Sequence, residues 1–213
     1  SNRYRLPAEM IRDNALATSG LLVKHVGGQS VKPYQPEGLW KEKNNFSLRL
    51  LEYKESKGED LYRRGMYTFI KRGSPPPSLI TFDATSREIC TIKREKTSSP
   101  LQSLVLLNDT QFFEASRVFA ERIISQSKND LSDQIIYGFR LATSRFPKDS
   151  EVKLLKELYL NKLSFYKKNK GEAYKVISIG ASKTKFNKKA PQVAAMTMVA
   201  NTLLNLNESY YKY

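Results

Sequence analysis

The strongest constraint on the fold is a set of apolar faces that recur with helical period through the second half of the chain. Phe112, Ser116, Phe119 and Ile123 fall on one helix face, and Asn108-Asp109 ahead of them supplies residues of the type that cap a helix N-terminus. The pattern repeats with Leu131, Ile135, Phe139 and Ala142 over about 130–143, and with Val152, Leu155, Tyr159, Leu163 and Tyr166 over about 150–168. It returns with Ala195, Val199, Leu203 and Leu206 over about 190–206, where Pro191 stands in the first turn. Such stripes bury themselves against other helices. No series of strand period competes with them, and there is no internal repeat.

The first half is less regular. Pro7 opens a helix expected over about 7–23, with Ile11, Ala15, Thr18 and Leu22 on one face and Gly27-Gly28 as its stop. Pro33, Pro36 and Gly38 mark an extended, turn-rich loop that packs Tyr34 and places Trp40 in the core. The charged stretch Leu50–Asp60 reads as an exposed excursion, and Leu61–Arg72 as a helix or a strand of ambiguous period. Pro75-Pro76-Pro77 is a polyproline-like connector into Leu79–Asp83, because each proline lacks an N–H and restricts its predecessor. Pro100–Leu107 is predicted as a short, heavily buried helix carrying Leu101, Leu104, Val105 and Leu107. The closing Tyr210, Tyr211 and Tyr213 either pack back or fray. The expectation is one domain over 1–213, all-α or mainly α: a bundle of five to seven helices with a loop-rich N-terminal half.

One Cys and one His exclude an internal disulfide, and by themselves they make neither a zinc site nor a haem attachment. His25 beside Gly27-Gly28 suits a cation at a helix C-terminus, and Cys90 between Ile89 and Thr91 a small buried hydrophobe. Phosphate-loop and dinucleotide glycine motifs are absent from the sequence. Its longest apolar runs, Leu104–Leu107 and Val193–Ala200, fall far short of the roughly 18 residues of a membrane span. The opening Ser1-Asn2 in place of Met suggests a piece cut from a longer polypeptide.

The net charge of +15, from 36 Lys and Arg against 21 Asp and Glu, divides into chemically different parts. Residues 148–189 carry twelve Lys, no Arg and only Asp149, Glu151, Glu157 and Glu172. Lysines alone are solvated point charges, poor at the bidentate recognition of phosphate or base edges, which disfavours nucleic acid as partner. Arginine gathers instead at Arg63, Arg64, Arg72, Arg87 and Arg94, among Asp83, Glu88 and Glu95, with Asp109 following. This polar cluster is the candidate site. It is either internal bracing, with Asp109 as a helix cap, or an anion or substrate site in which paired carboxylates do acid–base work.

Four runs carry a family resemblance: 62–72 (Tyr-Arg-Arg-Gly-Met-Tyr-Thr-Phe-Ile-Lys-Arg), 75–83 (Pro-Pro-Pro-Ser-Leu-Ile-Thr-Phe-Asp), Ser86-Arg87-Glu88-Ile89-Cys90, and 99–109 (Ser-Pro-Leu-Gln-Ser-Leu-Val-Leu-Leu-Asn-Asp). They resemble the planctomycete-type PSD-one domain family, domain of unknown function 1553. The opening run 6–13, Gly27-Gly28 with 30–36, and the closing run 200–208 are similar to it too, so the likeness spans almost the whole chain. Departures are small: Ser99 replaces a Thr, Thr110 a Pro and Lys96 an Arg.

The resemblance implies a C-terminal module of large exported, extracytoplasmic (periplasmic or cell-surface) proteins whose upstream part often carries a cytochrome-c-like domain. Haem c would belong to that part, with no cofactor or metal in this chain. It implies no catalytic residues. The leading functional expectation is therefore a non-catalytic module docking on upstream domains or a partner protein, in connection with polysaccharide use. The alternatives are a glycan-acting hydrolase using Asp83, Glu88 or Asp109, and a binder of acidic polymer through Lys148–Lys189.

Overall fold

The computed structural model describes residues 4–40, 53–126 and 130–212. In chain order β1 (Tyr4–Arg5) and α1 (Ala8–Ser19) precede an irregular stretch with 3-10 turns at Gly58–Tyr62 and Gly65–Tyr67. Then come α2 (Pro77–Thr81), α3 (Pro100–Asn108), α4 (Thr110–Gln126), α5 (Leu131–Thr143), α6 (Asp149–Lys168), α7 (Lys170–Ile177), α8 (Ala190–Leu204), α9 (Asn207–Tyr210) and β2 (Tyr211–Lys212). The chain is a mainly-α helical bundle, with nine α-helices among the described residues.

The periodic segments form α4, α5, α6 and α8, and their predicted faces meet. Phe119, Ile123, Ile135, Phe139, Met196, Val199 and Leu203 lie in one core, each essentially sealed from solvent. Because α8 is apolar nearly all round, it sits at the centre, packed by α4, α6 and α7. A second cluster joins Tyr166 of α6 and Ala173 and Ile177 of α7 to Val193–Ala195 of α8. The two-residue strands pair antiparallel, Tyr4 opposite Lys212 and Arg5 opposite Tyr211, and Leu6 N–H donates to the Tyr210 carbonyl at 2.8 Å. Tyr210 packs edge-on to Phe82 with ring centroids 6.2 Å apart, so the C-terminal tyrosines pack back; Tyr213 lies outside the described residues.

Several local expectations change. Helix α1 ends at Ser19, four residues early, because the chain turns left-handed at Gly20; His25 is thus an exposed loop residue rather than a helix-terminal cation. Cys90 is exposed rather than buried. Leu61–Arg72 is neither helix nor strand: its 3-10 turns alternate with single bridges, Val23 to Arg63 and Val31 to Thr68. Pro77 is the first residue of α2, where a missing N–H costs nothing. Helix α3 is not heavily buried: Leu101 is 62% exposed and Leu104 52%, because this nine-residue helix touches the bundle along one side only. Trp40 is core, 2% exposed, with Tyr53 edge-on at 5.0 Å; of the expected 50–60 excursion, 50–52 lie outside the described residues.

Candidate functional site

Around α2 the backbone runs irregularly, so carbonyl groups there have no ladder partner and must find donors elsewhere. Arg5 supplies them from β1. Its Nη1 donates to the Thr97 carbonyl at 2.7 Å, and its Nη2 to the Phe82 carbonyl at 3.1 Å and to Asp83 Oδ2 at 2.5 Å. Asp83 also accepts the Thr97 N–H at 2.8 Å and the Thr97 hydroxyl at 2.9 Å. Burial alone would raise the Asp83 carboxyl, but the Arg5 and Thr97 donors outweigh it and hold the group below its ordinary range. Gln102 of α3 adds a bond to the Thr81 carbonyl at 3.0 Å.

A second seam lies under α1. Arg12, 4% exposed, donates through Nε to Gln111 Oε1 at 2.6 Å, through Nη2 to the Leu61 carbonyl at 2.7 Å, and through Nη1 to the Arg63 carbonyl. Burial lowers this guanidinium to about 10. Arg63 in turn donates to the carbonyls of Gln29, at 2.8 Å, and Gly27, and its guanidinium lies 4.1 Å from the Tyr67 ring centre. At the rim Asp13 accepts the Gly65 N–H at 2.5 Å and Arg64 Nε at 3.2 Å. Asp109 accepts the Gln111 N–H at 3.0 Å at the start of α4; burial raises its carboxyl, against those backbone donors and Arg12.

The remaining members of the cluster stay apart. Arg94 pairs with Glu9 at 2.7 Å, while Arg72, Arg87, Glu88 and Glu95 are exposed. Arg63, Arg64 and Asp109 thus share the seam under α1, Asp83 sits in the Arg5 clasp, and no single pocket gathers the nine. The arginines that sequence reasoning missed, Arg5 and Arg12, carry most of the bonds.

Also missed is a polar seam on the far side of α4, fully buried at Glu114 and Arg117 and partly open at Glu121. Glu114, Arg117 and Glu121 occupy the face opposite Phe112, Phe119 and Ile123, which from sequence reads as solvent-facing. The structure covers that face with the strap between α7 and α8. Arg117 donates to the carbonyls of Ile179 at 3.3 Å and Ser182 at 2.6 Å and to Glu121 at 2.6 Å. Glu114 Oε1 accepts the Ser182 N–H at 2.7 Å and the Tyr62 hydroxyl at 2.9 Å. Gly180, at φ +89°, lies so near that a Cβ there would stand 2.2 Å from the Glu114 carboxyl carbon. Burial, with the Glu114 charge nearby, pushes Tyr62 up and Tyr34 up to about 12.

Two open clefts flank these seams. One, of about 370 Å³, lies along α3 between Leu101, Leu104, Pro36, Pro77 and Asp109. The other, of about 430 Å³, lies at the end of α5 beside Arg145, Glu208 and Lys212. There Arg145 holds both Glu151 and Glu208 at 2.7 Å, and Glu151 is lowered to about 2 chiefly by that guanidinium. Among the described residues no three His, Cys, Asp or Glu side chains cluster as metal ligands. The lysines from Lys148 to Lys189 are exposed, apart from half-buried Lys156. None of the described helices is long and apolar enough to cross a membrane.

A family model described as PSD1, protein of unknown function (DUF1553), matches residues 1–159. No curated protein and no solved structure matches the chain.

Proposed function

The chain belongs to the PSD1 family of proteins of unknown function (DUF1553), and from that premise we propose that it is a non-catalytic helical module that docks on another part of a larger polypeptide. The observation that carries this reading is where the arginines and carboxylates end. Arg5, Arg12 and Arg63 are spent on backbone carbonyls, Asp83 on the neck of a loop, and Asp109 on the start of α4. Groups tied this way hold a shape and leave little to meet a substrate. A glycan hydrolase built on Asp83, Glu88 or Asp109 finds less support, because Asp83 and Asp109 are so engaged and Glu88 stands alone on the surface. The family likeness supplies the rest of the proposal: an extracytoplasmic location, haem c in an upstream cytochrome-like domain, and a link to polysaccharide use. The test is a titration of the chain with the separately produced upstream portion. Docking predicts co-elution and a rise in Tm; no contact at saturating concentration removes the reading.

A second reading rests on the exposed lysines of α6, α7 and the strap to α8, which suit an acidic polymer. Affinity for a sulfated glycan falling steeply with salt supports it, and a salt-independent affinity removes it.

A further inference from the structure

Residues 84–96, between α2 and α3, form a loop whose two ends are locked together. Asp83 accepts both the N–H and the hydroxyl of Thr97, and Arg5 bridges Asp83 to the Thr97 carbonyl, so the neck is closed. Above the neck, Arg94 bonds Glu9 of α1 at 2.7 Å and the Lys96 ammonium lies 5.0 Å from the Tyr4 ring centre. Asp83 and Arg87 both adopt left-handed backbone, at φ 59° and 61°. The loop is therefore held in position at its base.

Its tip is different. Ile89 is 79% exposed, Ile92 has no shielding at all at 106%, and Cys90 between them is exposed too. Two large apolar side chains three residues apart in water, on a loop fastened at its neck, have the character of a binding element. Arg87, Lys93 and Lys96 stand on the same loop against Glu88 and Glu95, and with Arg94 already paired to Glu9 the loop keeps a local charge of +1.

We infer that this loop is the docking element of the module, with Ile89 and Ile92 entering an apolar pocket rimmed by carboxylates on a partner protein; this rests on the docking reading above, under which the partner belongs to the same polypeptide. The excess of cations fits a carboxylate rim. A shaped pocket fits better than an anionic bilayer, because a pocket can set its carboxylates against Arg87 and Lys93 and leave Glu88 to water, whereas a bilayer presents phosphates to Glu88 as well. A pre-fastened loop also loses little freedom on entering a fixed site.

The experiment follows Cys90, the chain's single cysteine, by timed N-ethylmaleimide labelling and peptide mass spectrometry, in the isolated chain and in the native full-length polypeptide. The expected result is labelling slowed about tenfold or more in the full-length protein. The double variant Ile89→Ser/Ile92→Ser restores fast labelling with unchanged Tm. Equal labelling in both proteins overturns the inference. If the upstream portion nevertheless co-elutes with the chain, docking stands and only its location fails; if it does not, both fall. Slowing that survives the double variant also overturns the inference. So does slowing of the isolated chain by phosphatidylglycerol vesicles, which would assign the loop to a lipid surface.

Discussion

The half of the molecule before α4 and the helices from α4 to α9 are held together by different means. From α4 onward the helices satisfy their own backbone, and cohesion comes chiefly from side chains such as Phe119, Ile123, Phe139 and Val199 meeting around α8, with Arg117 bracing carbonyls only at the irregular strap between α7 and α8. Before α4, outside the helices α1 to α3 and the single bridges at Val23 and Val31, the backbone turns too irregularly to pair with itself. There Arg5 reaches across to the carbonyls of Phe82 and Thr97, Arg12 to those of Leu61 and Arg63, and Arg63 to those of Gln29 and Gly27. The comparison teaches what a loop-rich half requires: long, multi-pronged donors that replace the missing ladder at buried carbonyls, since an unpaired buried carbonyl costs about 1–3 kcal/mol.

The largest effect is expected in the helical half. Phe119→Ala removes a fully buried ring beside α8 and should cost about 3–5 kcal/mol by urea unfolding. Arg12→Met follows at about 3 kcal/mol, since it strands the Arg63 carbonyl and Gln111 Oε1 and leaves the Leu61 carbonyl only the bond from Gln111 Nε2 at 3.2 Å. If Arg12→Met proved neutral, the two halves would be held alike and the comparison would break. Gly65→Ala comes next at about 1–3 kcal/mol, because the new Cβ would meet the Glu9 backbone oxygen at 2.8 Å.

Asp83→Asn should leave global stability nearly intact but speed hydrogen exchange at the Thr97 amide about tenfold, by loosening the neck of the 84–96 loop. The smallest effect is on pH dependence. Glu151 is lowered from 4.5 to about 2, so the stability from its pairing with Arg145 is present above pH 4.5 and lost as pH falls toward 2. The pair is about a third exposed, so Arg145→Met should flatten Tm only slightly, and only in that window.

Legibility follows the same division. The faces of α4, α5, α6 and α8 could be read because period alone specifies which side of a helix is buried. Helix α7 was hidden among lysines, with only Ala173 and Ile177 fully buried against α8. In the sequence the candidate cluster shows five arginines interspersed with Asp83, Glu88 and Glu95, which suggests bracing within the cluster. Asp83 instead takes Arg5, while Arg94 and Arg64 take Glu9 and Asp13 of α1. Sequence proximity carries no information about an arginine whose partner is a distant carbonyl. Glu114 and Arg117 were the least legible, since their burial depends on a strap 62 to 68 residues further along.

By itself the sequence determined the mainly-α class, the buried faces of α4, α5, α6 and α8, and the family, because period and long motifs are local properties. The tertiary structure alone decided which charges are buried, which arginine closes which loop, and that Ile89 and Ile92 are left in water at the end of a fastened loop. Those outcomes depend on which distant backbone groups lack partners, and that is fixed only when the chain has closed on itself.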